Sequence, residues 1–405
     1  MADILQKNRI AREKGRRIVL FPTSKRMEQL NQSEMSATAV ASSSLSLPRR
    51  LSRRWFRVAV WALWIICIIV SLALGWFYLT PQGTKLRGIV AEAVYTSKQT
   101  KYTWLLVGTS GVEKIKENFQ RQAEANHLVK QDMSLVKVAA PDPQHILTPS
   151  TLINVEDIRG ETYVGKIMYI KDPRLIHVVA SHNPGGEKVS NIATRKNALA
   201  AINGGGFFLT DKTDDMVGPE FEGVERIMHP LGIIISEGKL VSGDNKAKQD
   251  IVGFTKDGVL ISGRYTYEQM KKLGVQEAVS FLPRLVVNGK PMITEGDGGW
   301  GVAPRTAIAQ KKDGTVMFLV IDGRSIHSFG ATLKDVQEEL LKRGAVNAVN
   351  LDGGSSSSMY YRGKLITTPS GIAGEKPMPN AFLVYNPAHK HGGYVYGAKQ
   401  EKPHS

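Results

Sequence analysis

The chain has 405 residues, 42% of them apolar, with a single cysteine and a formal net charge of +16. That length allows a large core or two domains. Residues 1–57 carry 13 Lys/Arg against 4 Asp/Glu, or +9, so only +7 is left for the remaining 348 residues, and the distribution argues against nucleic acid as a partner.

The first segment, 1–57, includes the Ser/Ala-rich stretch MSATAVASSSLSLPRR and has few large apolar residues. It reads as a basic, disordered tail. From Val58 to Leu79 the chain runs for 22 residues without a charge. At about 1.5 Å per residue that spans a hydrocarbon layer of about 30 Å, so residues 58–79 are expected to form a single transmembrane helix in contact with the lipid bilayer. The stretch is longer than a typical signal-peptide core, and LTPQGTKL after it offers no small-residue cleavage site. Arg49, Arg50, Arg53, Arg54 and Arg57 crowd its N-terminal flank, whereas Lys85 and Arg87 are the only basic residues in the 15 positions beyond it. This asymmetry predicts a single-pass protein of the cell membrane, its N-terminus cytoplasmic and its remainder extracellular. Cys67 falls inside the apolar stretch, so the external part has no thiol and must be held by packing alone.

Residues 80–145 contain one helical candidate, VEKIKENFQRQAEANHLVKQ, followed by the proline-containing APDPQHILTPS. They read as a stalk or ancillary region with a linker. From 146 to 388 the texture changes to short apolar runs divided by Gly, Asp and Asn, including KIMYIKD, LIHVVAS, IVGFTKDGVLI and AVNAVNLDG. Lys256-Asp257-Gly258 and Lys312-Asp313-Gly314 are hairpin signals. The clearest helix is Leu333–Arg343, with Thr332 and Asp335 at capping-box spacing and Gly344 just beyond its end. A second, weaker helix is expected at Thr266–Leu273. The predicted fold is α+β, with β-rich mixed sheets, packed helices and the transmembrane helix in front. Residues 389–405 read as a flexible tail.

Chemistry is sought first in NAVNLDGGSSSSMYY. A serine nucleophile on a hydrolase elbow needs G-x-S-x-G, and Gly353-Gly354-Ser355-Ser356-Ser357-Ser358 lacks the second glycine. A flexible linker does not fit between two strand-like runs. What remains is an aspartate at a strand end, followed by glycines that let the backbone approach a ligand and by oxygen-binding hydroxyls and amides. Asn203-Gly204-Gly205-Gly206, Pro304-Arg305-Thr306 and Asp322-Gly323-Arg324 have similar make-up. Each alone is ordinary turn chemistry. Together they supply two carboxylates, two guanidiniums, an amide and exposed backbone, suited to a phosphate beside a polyol.

The ordered set NGGGFF, PRTAIA, IDGR, NLDGGSSSSM and EKPMPNAFLVY resembles the phosphodiester glycosidase family over about Asn197 to Asn386. The resemblance implies hydrolysis of a glycosidic bond to a phosphodiester, on a carbohydrate-phosphate substrate or a cell-wall or exopolysaccharide glycopolymer. It implies catalytic roles for Asp352, Asp322 and Glu375, and substrate contacts from Asn203, Gly205, Arg305, Arg324, Gly353, Gly354, Ser355 and Asn380. Lys376 stands where the pattern has arginine, and Ala309 where it often has glycine. Lysine lacks the bidentate fork for phosphate. If Asp322 and Asp352 converge on a hard cation, they would instead form a divalent-metal site. No other cofactor is implied. A non-catalytic glycan-binding module and a phosphodiesterase that breaks P–O are the rival readings.

Overall fold

The computed structural model describes residues 53–95, 100–140, 147–211 and 226–387. The expected tails, 1–57 and 389–405, lie outside these apart from residues 53–57. The chain divides into two compact units, Met1–Leu74 and Gly75–Ser405. One helix, Arg53–Leu79, covers the apolar stretch and starts five residues earlier than the charge-free run. Within it Trp55–Leu79 is long and apolar enough to cross a membrane, by length and composition.

The second unit is built on three larger antiparallel sheets. A seven-stranded sheet runs in the order Ile153–Arg159, Val164–Ile170, Val316–Ile321, Arg305–Lys311, Ala345–Leu351, Arg284–Val287 and Lys290–Pro291. The first five-stranded sheet is ordered Lys364–Leu365, Met359–Tyr361, Ala200–Asn203, Asn380–Val384 and Ile176–Ala180. The second is ordered Leu260–Tyr265, Gln249–Thr255, Val275–Ser280, Ile234–Ser236 and Lys239–Ser242. The two Lys-Asp-Gly turns lie where hairpin chemistry places them, with Gly258 and Gly314 in the left-handed region at φ +81° and +89°.

One apolar core is shared by all three sheets. Val316, Phe318 and Val320 enter it from the large sheet, Ile202 and Phe382 from the first smaller sheet, and Val252 and Phe254 from the second. Side chains alternate across a strand, so Met317, Leu319 and Ile321 emerge on the opposite face, where Leu333, Val336 and Leu340 of the helix Leu333–Lys342 cover them. Burial on both faces explains why VMFLVI is continuously apolar. The helix is closed by the expected box: the Asp335 N–H donates to Thr332 Oγ1 and the Thr332 N–H to Asp335 Oδ2. The two smaller sheets are covered in the same way. Ile192 and Ala193 of the helix Val189–Arg195 pack on Ala201 and Leu383, and Met270 of the helix Tyr267–Lys272 packs on Ile251 and Ala278.

The region expected as a stalk carries two helices, Pro81–Tyr95 and Trp104–Leu128, the second broken at Gly108, whose φ is +70°. Tyr95 and Phe119 stack at 5.7 Å. The segment after them is bonded to the sheets. Arg284 donates to the Val129 carbonyl, Asn288 to the Lys130 carbonyl and Gln131 to the Leu260 carbonyl. Residues 129–131 are therefore part of the folded unit's surface and no free spacer.

Candidate active site

The strand Arg305–Lys311 has Val316–Ile321 on one side and Ala345–Leu351 on the other. Its register pairs Arg305 with Ile321 and Thr306 with Leu351. Asp322 and Asp352, each one residue beyond its strand, therefore emerge on either side of the start of the strand that carries Arg305. Antiparallel pairing brings together, at one sheet end, two carboxylates that are 30 positions apart in sequence.

The first smaller sheet is stitched to this end by Asn203, which is fully buried. Its Nδ2 donates to the Asp352 carbonyl at 2.6 Å, and its Oδ1 accepts from Thr306 Oγ1 at 2.8 Å and from the Ser358 N–H at 3.1 Å. The Asp352 N–H donates to the Gly204 carbonyl at 3.2 Å. Asn380 closes the other side of the glycine run, accepting from the Gly205 N–H at 2.8 Å. A Cβ on Gly204 would lie 2.0 Å from Asn380 Oδ1, so only glycine fits there. The Asn203 amide is engaged with protein at both its nitrogen and its oxygen, and a lost partner would leave a desolvated polar group costing about 1–3 kcal/mol.

Asp352 keeps some open surface as a residue, but its carboxylate is tucked in. Burial raises its pKa above the ordinary value, opposed by the Ser356 hydroxyl, the Lys376 charge and the Gly353 N–H. Asp322 is also half-buried and its pKa is likewise raised by burial, although Oδ1 accepts from the Thr368 N–H at 2.9 Å and Lys166 lies near. Arg324 is exposed and in the left-handed region at φ +58°. A Cβ on Gly354 would meet its Nη2 at 3.1 Å, so the guanidinium lies over the Gly353-Gly354 turn. Among the described residues it makes no ion pair. Its cation is thus available to an anion arriving beside Asp352. Ser355, half-exposed, neighbours the same turn, whereas Ser356, Ser357 and Ser358 are buried.

Other residues expected to touch substrate are committed to the scaffold. Arg305 is 3% exposed; its Nε donates to the Ala331 carbonyl at 2.9 Å and its Nη2 to the carbonyls of Trp300 and Gly301. Burial, helped by the nearby Arg324 charge, brings its pKa down to about 10, so it stays cationic at neutral pH. Glu375 is buried, and both its oxygens accept from Ser190, one from the backbone N–H at 2.9 Å and the other from the hydroxyl. That makes it the anion at the first turn of the helix Val189–Arg195. The Gly354 N–H donates to the Pro304 carbonyl at 2.8 Å. The cluster that faces outward is therefore Asp352, Asp322, Arg324 and Ser355. Among the described residues no three of His, Cys, Asp and Glu gather as a metal site. A hollow of about 280 Å³ is lined by His177, His182, Arg195 and Glu237, among others, and by none of these residues.

The sequence assigns no role to Thr306, Ser356 or Ser358, and marks Lys376 only as the lysine that stands where the family pattern has arginine. Its Nζ lies 4.4 Å from the centre of the Phe207 ring, which holds its charge beside the glycine run.

Residues 196–385 match the phosphodiester glycosidase family. Over 245 residues, 55% of this chain and 44% of the relative, the sequence is 26% identical to the N-acetylglucosamine-1-phosphodiester alpha-N-acetylglucosaminidase of Bos taurus. A shorter stretch of 67 residues, 16% of this chain and 10% of the relative, is 45% identical to an uncharacterized SPbeta prophage-derived protein of Bacillus subtilis. The catalytic domain of the zebrafish N-acetylglucosamine-1-phosphodiester alpha-N-acetylglucosaminidase, auto-inhibited by its pro-peptide, is a similar solved structure. It is 24% identical, with a TM-score of 0.46, over 58% of this chain and 82% of that one. The chain spans less than half the length of the bovine relative. The similarity to the phosphodiester glycosidase family is thus carried by residues 196–385, just under half of this chain, and is shared by the bovine and human relatives.

Proposed function

We propose that this chain is a hydrolase that cleaves the glycosidic bond between a sugar and a phosphodiester, releasing the sugar and a phosphomonoester. One observation carries the reading: Asp352, partly open but with its carboxylate buried, lies two residues from Gly354, over which the exposed Arg324 guanidinium rests. In this scheme the oxygen of water bonds to the anomeric carbon while the carbon–oxygen bond to phosphate breaks. Asp352 takes the proton from water, and the bonding electron pair leaves on the phosphate oxygen. Arg324 offers two parallel donors to that phosphate. The departing phosphomonoester is a good leaving group, so the protonating acid of an ordinary two-carboxylate glycosidase is not required. Asp322, on the other side of Arg305, is the alternative base. Ser355 orients sugar or phosphate oxygens.

The helix Trp55–Leu79 serves as an uncleaved anchor, its arginine-rich flank cytoplasmic and the catalytic domain extracellular, supported by the flanking charges. An envelope or exopolysaccharide glycopolymer is the substrate class that fits this location. The test incubates the full chain in detergent with sugar-1-phosphodiesters and wall glycopolymers in ¹⁸O-water, with and without a chelator. Label in the released sugar supports the proposal. Label in phosphate identifies a phosphodiesterase, and glycan retention without turnover identifies a binding module; either outcome sinks it. Loss of turnover with the chelator assigns Asp322 and Asp352 to a divalent cation.

A further inference from the structure

Two aromatic side chains lie outside the polar cluster, Phe281 against the glycine run and Trp300 beside Phe281. Phe281 directly follows the strand Val275–Ser280 of the second smaller sheet, and Trp300 precedes Arg305 in the large one. Their ring centres are 6.2 Å apart and their planes are inclined at 58°, forming an open V. A Cβ on Gly206 would lie 2.8 Å from the Phe281 ring, so the chain after Asn203 runs against that ring. Trp300 is fixed through its carbonyl, which accepts from the buried Arg305 guanidinium at 2.9 Å. Both rings are only half-buried. Each thus joins a core on one side and keeps open surface on the other.

This pair and Arg324 stand at opposite ends of one short path. From Asp352 the chain reaches Gly354, under Arg324, in two residues. Across the hydrogen bond from the Asp352 N–H to the Gly204 carbonyl, two residues more reach Gly206, against Phe281. A planar cation suits phosphate, whereas aromatic faces suit the C–H face of a pyranose ring and offer nothing to an anion. The geometry points to a polarised substrate site: Phe281 and Trp300 form the sugar subsite and Arg324 the phosphate subsite, with the Asp352 carboxylate between them. This rests on the glycosidase reading and deepens it by giving the bound substrate a direction. It also gives Arg305 a role in place of the phosphate contact expected from sequence. Arg305 becomes a positioning residue that holds the indole of Trp300 through its backbone.

The test uses the full chain in detergent and two separate probes. Saturation-transfer NMR, irradiating aromatic protons, reads the C–H protons of free glucose, galactose, mannose and N-acetylglucosamine; ³¹P line broadening reads inorganic phosphate. Transfer to a sugar is expected in the native chain, is lost in Trp300→Ala and Phe281→Ala, and survives in Trp300→Phe. Phosphate broadening persists in the aromatic variants, which also shows them folded, and disappears in Arg324→Ala. With a turned-over diester, Trp300→Ala should raise KM about tenfold and leave kcat within about threefold. Equal sugar transfer in native and alanine variants overturns the subsite, as does no sugar transfer in the native chain. Sugar transfer that behaves as expected while no diester is hydrolysed leaves the subsite standing and removes the glycosidase reading. Unchanged KM in Trp300→Ala with normal hydrolysis does the reverse.

Discussion

Asn203 ends a strand of one sheet and Asp352 directly follows a strand of another, and the amide of the first holds the backbone of the second through Nδ2, 2.6 Å from the Asp352 carbonyl. The same amide accepts from Thr306 and Ser358. Asn203→Ala should therefore unfasten three segments at once. A loss of stability on the order of 3 kcal/mol is expected, read by urea denaturation, with turnover reduced even where the protein remains folded. Asn203→Asp keeps an oxygen for Thr306 and Ser358 but sets a buried carboxylate oxygen against the Asp352 carbonyl, so it should cost at least as much as the alanine variant. Native stability in the alanine variant would contradict the assignment.

Asp352→Asn should abolish hydrolysis, since the amide cannot take the proton from water, without lowering the melting temperature by more than a few degrees. Full activity in this variant would remove Asp352 from the mechanism.

The acid limb of kcat/KM should report Asp352. Its pKa is raised by burial, and the carboxylate must be ionised to act, so activity falls as pH drops through a value above that of an ordinary aspartate. Lys376 opposes that rise. Removing its charge in Lys376→Met should move the limb to still higher pH, and an unmoved limb would separate the lysine from the site.

Glu375 is expected to matter to folding more than to chemistry. Both Glu375→Gln and Ser190→Ala disturb the same contact at the start of the helix Val189–Arg195, and each should cost about 1–2 kcal/mol while kcat stays near native. A collapse of kcat in Glu375→Gln with unchanged stability would restore it to the catalytic set.

A different pH effect belongs to the ancillary helices. Burial, a hydrogen bond to Asp297 and that residue's charge push the Glu92 pKa from its ordinary 4.5 up to about 8. A carboxyl whose pKa is raised on folding stabilises the fold fully below its unfolded value and loses that contribution as pH climbs to the folded one. The melting temperature should therefore fall between about pH 4.5 and 8 in the native chain. In Glu92→Gln that part of the slope should vanish, and an identical slope would refute the pairing.

The strands, both Lys-Asp-Gly hairpins and the box at Thr332 and Asp335 were legible because local patterns govern them: alternation of side chains, positive φ in turns and the satisfaction of a helix end. The division of labour within the site was not. Arg305 and Arg324 are the same residue type beside strand ends, yet one is sealed against three carbonyls and the other lies free over Gly354. Glu375 meets its partner 185 positions away, a pairing no spacing encodes. Residue type sets what a group can bond; only the register of distant strands decides what it does bond. Phe281 and Trp300 illustrate the same limit, since one packs on the core shared by the sheets and the other on the core under the helix Leu333–Lys342, and no spacing announces that they meet.

The register also bears on how the protein can be dissected. The family segment starts at 196, but Val164–Ile170 pairs along the whole of Val316–Ile321, and Ile176–Ala180 along the whole of Asn380–Val384. Cutting at 196 would strip one neighbour from the strand that leads to Asp322 and another from the strand that begins at Asn380. Two raw sheet edges would face water, together with a shared core stripped of Leu152, Ile153, Met168, Ile170, Ile176 and Val178, an invitation to edge-to-edge aggregation. The smallest piece able to stand alone must reach back past Ile153, so the family segment borrows its flanks from residues that precede it.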